Sequence, residues 1–133
     1  MGISDEFAKY KANLKNVNWS VSAENPEGEL VVSLWDQFFE KPFGGKIKYV
    51  DRVTRWSGHG NTEFRTRIDK AFKTAQVVRV VIARTDNEVA VRSGEDASKY
   101  KNTFHAREDW HGMVSLWDGD NFEIEFRSAK SNV

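Results

Sequence analysis

The run Arg52-Val53-Thr54-Arg55-Trp56-Ser57-Gly58-His59-Gly60-Asn61 gathers residue types suited to holding an anion. Glycines let a backbone turn tightly and bring its N–H groups close to a ligand. A helix starting just beyond would add unpaired donors with a partial positive charge. Arg52, Arg55 and Arg65 can supply charge-assisted bonds to a phosphate, with Gly58, His59, Gly60 and Asn61 as the cradle. The pattern is neither a P-loop nor a dinucleotide fingerprint, so it suggests phosphate without naming a class of binder.

His59 is a candidate general acid or base, because imidazole titrates near neutrality and this one lies in a loop suited to ligand contact. Ser57 lacks a Gly-x-Ser-x-Gly surround, which argues against a serine hydrolase. The segment from Phe104 to His111 gathers His105, Glu108, Asp109 and His111. On one extended strand His105, Asp109 and His111 would share a face, with His111 a second acid–base candidate. Their spacing matches no zinc motif, so no metal is expected, and no motif calls for a cofactor.

Charge strengthens the anion reading. Eleven of the twenty Lys and Arg residues lie between Lys41 and Arg84, opposed there only by Asp51, Glu63 and Asp69. The block carries +8 and each flank −4, so a net charge of zero hides a strong segregation. Five tryptophans are many for 133 residues. Basic residues interleaved with indoles are what recognition of an unpaired base requires: charge tracks phosphates and rings stack on bases. Val32-Ser33-Leu34-Trp35-Asp36 recurs as Val114-Ser115-Leu116-Trp117-Asp118. On a strand, Val and Leu of each copy share one face and Trp takes the other. Trp35 and Trp117 are therefore either buried under a helix or, with Trp56, the stacking rings of a pocket.

The elements that must position these residues follow from pattern. Ser4 caps a short helix over 5–14, with Phe7, Tyr10 and Leu14 on one stripe. Val17 to Val21 alternates like a strand, Asn25-Pro26-Glu27-Gly28 turns, and strands follow within 29–39 and 46–50. Asn61 or Thr62 caps the strongest helix, about 61–75, with Phe64, Ile68, Ala71, Phe72 and Ala75 on one face. Val77 to Ala83 reads as a buried strand, and 85–102 as a polar excursion with a little strand near Val89 to Val91. Met113 to Trp117 and Phe122 to Arg127 flank the turn Asp118-Gly119-Asp120-Asn121 as a C-terminal hairpin.

The expectation is one α+β domain over 1–133: a twisted, curved, mostly antiparallel sheet, barrel-like in outline, with one packed helix, a short N-terminal helix and the hairpin. In layout alone this resembles PUA-like nucleic-acid readers. The chain has no cysteine, no apolar run long enough to span a membrane and no signal-peptide core, and Glu6 spoils a myristoylation motif. A reducing cytoplasm and no membrane partner fit these features. The function expected is binding of nucleic acid or a nucleotide, with Trp35, Trp56 and Trp117 stacking on a base. The alternatives are a small enzyme acting on a phosphorylated or acidic metabolite through His59 or His111, and a protein–protein interaction module.

Overall fold

The computed structural model describes residues 2–97 and 100–128. Its order is α1 (Ile3–Ala8), β1 (Ser22–Glu24), β2 (Leu30–Trp35), β3 (Lys46–Arg52), α2 (His59–Thr74), β4 (Val78–Thr85), α3 (Glu88–Arg92), β5 (Asn102–Ala106), β6 (Trp110–Trp117) and β7 (Asn121–Ser128). Short 3-10 turns at Asp36–Phe38 and Val53–Arg55 follow β2 and β3. The α+β class, the main helix, the short first helix and the C-terminal hairpin are as the sequence indicates.

Seven strands form one mixed sheet in the order β1-β2-β4-β6-β7-β3, with β5 also on β4. Only β2 and β4 run parallel; the other pairs are antiparallel. The sheet stays open, although Phe39 bridges Tyr49 beyond the end of β2 and so draws β3 towards it. Leu30, Val32 and Leu34 of β2 share a core with Val78, Val80 and Ile82 of β4, Phe122, Ile124 and Phe126 of β7, and Tyr49 of β3. Phe64, Ile68 and Ala71 of α2 fill this face; burying each of the two larger side chains stabilises by roughly 1.5–3 kcal/mol. On the opposite face Val31 and Val81 pack against Phe7, Tyr10 and Ala12. Two covered faces explain why β4 reads as a continuous apolar run. No helix among the described residues is long and apolar enough to cross a membrane.

Four local readings are corrected. The first helix ends at Ala8 because the chain turns out at Lys11 (φ 61°), while the Tyr10 hydroxyl anchors on the Val80 carbonyl at 2.7 Å. Val17 to Val21 is not a strand: the Asn16 carbonyl accepts from the N–H groups of Trp19 and Ser20, so this piece is a turn and pairing starts at Ser22. Val89 to Val91 lies in helix α3, which Asn87 caps by accepting from the Ala90 N–H. The repeated pentapeptide is not used alike. A bulge between Val114 and Leu116 leaves Leu116 44 % exposed and brings Trp117 against the core, so Trp117 does not share the outward placement of Trp35.

Candidate functional site

β1 covers only the first half of β2. Beyond Ser33, whose N–H donates to the Val21 carbonyl, the edge of β2 borders a cleft of about 650 Å³. Its walls are Trp35 at the end of β2, the loop Trp56-Ser57-Gly58-His59-Gly60 entering α2, the turn carrying Trp19, and the segment after α3 with Glu95 and Asp96. Tyr49, Asp51, Arg55, Phe64 and Phe122 are also in its lining. A volume of this size suits a drug-sized or nucleotide-sized ligand.

Two glycines set the walls. Gly60 lies under the Trp19 carbonyl, and any side chain there would collide with that oxygen. Gly94 (φ 84°) sits in the same way against the Arg55 carbonyl, docking the loop after α3 onto the turn after β3. Gly58 (φ 111°) lets the chain enter α2 at His59, three residues earlier than a cap at Asn61 would. Asn61 is therefore inside the helix, where its buried amide donates to the Val53 carbonyl at 2.7 Å. Gly58 offers no side-chain cap, and the first turn of α2 has no acidic residue.

The polar floor is a linked chain. The Trp35 N–H donates to the Tyr49 hydroxyl at 3.4 Å, and that hydroxyl donates to Asp51 at 3.4 Å. Asp51 also receives Arg55 bidentately, at 2.8 Å for both bonds. Arg55 spends its remaining reach on the Val91 carbonyl at 2.6 Å and sits over the Phe38 ring, 4.6 Å from its centroid. Burial, with the neighbouring Asp51 charge, raises the Tyr49 pKa well above a free phenol, so the hydroxyl keeps its proton.

Of the residues singled out from sequence, Arg55, Gly58, His59, Gly60, Trp35 and Trp56 meet at this cleft. The others lie elsewhere. Arg52 pairs with Asp120 at 2.6 Å on the surface, where Thr54 binds the same carboxylate. Arg65 donates to Asn61 Oδ1 at 2.7 Å. Trp117 donates its indole N–H to Asp69 of α2 at 3.0 Å. His59 is exposed, 5.5 Å from the Trp19 ring, and no carboxylate among the described residues hydrogen-bonds it. His111 borders a separate shallow hollow with Val77, Met113 and Arg127. The supposed single strand from His105 to His111 is broken by a turn at 107–109, and Asp109 binds Ser128 instead. No group of three or more His, Asp or Glu among the described residues is placed to hold a metal.

The charge block also changes character. Nine of its eleven cations (Lys46, Lys48, Arg52, Arg55, Arg67, Lys70, Lys73, Arg79 and Arg84) pair with carboxylates, six of them on acids from the flanks. Sequence reasoning missed Trp19, Tyr49, Asp51, Glu95 and Asp96 as cleft residues, because nothing local marks side chains that converge only through tertiary packing. No family model, no curated protein and no solved structure matches this chain.

Proposed function

We propose that this protein binds a nucleotide, or an unpaired base of a nucleic-acid strand, with the ring held in the cleft at the edge of β2. The observation that carries the reading is the arrival of three indoles, Trp19, Trp35 and Trp56, from separate segments at one nucleotide-sized cleft. Indoles stack on any base, and such stacking is worth about 1–3 kcal/mol per base. The uncapped start of α2 lies on the rim, where a phosphate attached to the ring would find backbone donors and a favourable dipole. The enzymatic alternative draws less support, because His59 lacks a carboxylate partner among the described residues and His111 is remote from the cleft.

The test is titration of the protein with nucleoside monophosphates by calorimetry, alongside fluorescence polarisation with labelled single- and double-stranded DNA and RNA. Saturable binding that favours mononucleotides or single strands over duplex supports the proposal. No heat with any nucleotide and no polarisation change with any strand at low salt would sink it.

A further inference from the structure

We infer that the free edge of β6, from Met113 to Trp117, is an interface on which a second copy of this chain pairs antiparallel about a two-fold axis. The surface lies apart from the cleft and does not depend on what the cleft binds. β7 pairs with β6 along its whole length, whereas β4 meets it only through Val78 and Gly112. The β4 ladder stops there because Ala75 (φ 52°) turns the chain off α2 and the Gln76 N–H goes back to the Ala71 carbonyl. Alternation then fixes what the edge presents. The Leu30 N–H donates to the Val77 carbonyl and the Arg107 N–H to the Val80 carbonyl, so Val78 and Val80 turn their backbone groups away from β2. Gly112 answers Val78. Two residues on, Val114 points its N–H and C=O to the same side, where nothing bonds them among the described residues.

The other edges of the sheet are guarded against such pairing. β1 is only three residues long, and the uncovered end of β2 lies inside the cleft. β3 carries Lys46, Lys48, Asp51 and Arg52. On β5 the outward Ala106 N–H donates to Glu6 of α1, which packs along that strand. From Met113 to Trp117, β6 has no charged residue and no proline. Its outer face instead shows Met113 and Leu116, 47 % and 44 % exposed, with Val77 sharing the hollow beside Met113.

Charge selects a second copy over an unrelated strand. Exposed His111 and Arg127 stand at the Gly112 end. Arg127 reaches Glu125 only at 3.9 Å, and Lys46 holds that same carboxylate at 3.5 Å. At the Trp117 end Asp118 accepts from the N–H groups of Asp120 and Asn121 and from the Asn121 amide, all neutral donors. No cation pairs with it among the described residues. Antiparallel pairing carries the Asp118 end of each copy towards the Arg127 end of the other, with Met113 and Leu116 between them.

Sedimentation velocity over a wide range of protein concentration, at low and at high salt, tests this. The expected result is a monomer–dimer equilibrium that high salt weakens. Met113→Lys and Leu116→Lys, both at exposed positions, put a cation from each copy into the apolar contact and should each weaken the dimer about tenfold or more. Asp118→Asn keeps an acceptor for the turn but removes the charge; it should weaken the dimer about threefold and flatten its salt dependence. Val89→Lys, on exposed α3, should change nothing. Circular dichroism of each variant at low concentration should match the parent, which separates lost pairing from lost folding. A monomer at every concentration overturns the inference and leaves the edge to a different partner. A dimer that Met113→Lys and Leu116→Lys both leave intact overturns it too, as does open-ended growth into larger assemblies.

Discussion

The Asp51 carboxylate of β3 and the Arg55 guanidinium of the turn that follows meet side-on, Nε to Oδ1 and Nη2 to Oδ2, with side chains only 5 % and 13 % exposed. Removing one member of such a pair leaves a buried charge uncompensated, which costs about 3–5 kcal/mol. Arg55→Ala should therefore lower stability by about that amount in urea unfolding, with Asp51→Asn similar. The double variant Asp51→Asn with Arg55→Ala should lose much less than the sum of the two. Simple additivity in that cycle would mean that the pair does not act as a unit.

Gly60 and Gly94 make a second prediction. A methyl on Gly60 would strike the Trp19 carbonyl, and one on Gly94 the Arg55 carbonyl, both of them backbone oxygens that cannot swing aside. Gly60→Ala and Gly94→Ala should each destabilise by about 1–3 kcal/mol. They should also shift the tryptophan emission, since Trp19 and Trp56 border those contacts. Gly2→Ala, where nothing lies within 4 Å, should change neither quantity. Unchanged emission and stability in Gly60→Ala would show that the turn bearing Trp19 is not held against α2.

Carboxylates set the acid limit. For Glu6, burial pushes the pKa up, but the Ala106 N–H at 2.8 Å and the Lys9 ammonium outweigh it and hold the group below an ordinary glutamate. Lys70 and then Gln76 hold Glu24 down in the same way. A group with a depressed folded pKa adds stability above its unfolded value and loses that stability as pH falls towards the folded one. The thermal midpoint should be level from neutrality to about pH 5 and fall below about pH 4. Glu6→Gln should lower the midpoint at neutral pH and make the acid fall shallower. An acid fall of the same steepness in Glu6→Gln would remove Glu6 from this account.

Legibility followed the range of the forces involved. Phe122, Ile124 and Phe126 alternate because one face of β7 is core, and Phe64, Ile68 and Ala71 repeat at helical spacing because one face of α2 is. Both patterns are local and were readable. The bulge before Leu116 was not, since the same five residues run without one in β2. Charge misled for a geometric reason: antiparallel pairing of β3 with β7 brings Lys46 to Glu125 and Lys48 to Glu123 from far along the chain. The cleft draws on segments near residues 19, 35, 56 and 95, so sequence marked Trp35, Arg55, Trp56 and the Gly58-His59-Gly60 rim one by one but gave no sign of Trp19, Tyr49, Asp51, Glu95 or Asp96.

That pairing of charges bears on salt dependence. Of the eleven cations between Lys41 and Arg84, Lys41 and Arg65 are the two without an ion pair among the described residues. Each single-strand phosphate neutralised contributes about −0.7 to the slope of log affinity against log salt. With two such contacts the slope should be about −1.4, read from polarisation titrations of a single-stranded oligonucleotide at several salt concentrations. A slope several times steeper would mean that the paired lysines and arginines exchange their carboxylates for phosphates and that the basic block acts as one face.

The tryptophans separate the cleft from the rest of the molecule. Trp35 is half-buried on its wall, whereas Trp117 faces α2 and holds Asp69. Loss of one stacking ring costs about 1–3 kcal/mol of binding, so Trp35→Leu should weaken nucleotide affinity by about tenfold or more while the protein remains folded. Trp117→Phe keeps an aromatic ring against the core and removes the indole N–H donor to Asp69. It should cost about 1 kcal/mol of stability and leave affinity unchanged. Calorimetric titration of the two variants with the same mononucleotide decides the matter. Equal losses in both would place the ligand away from the cleft, because the two indoles share no wall of it.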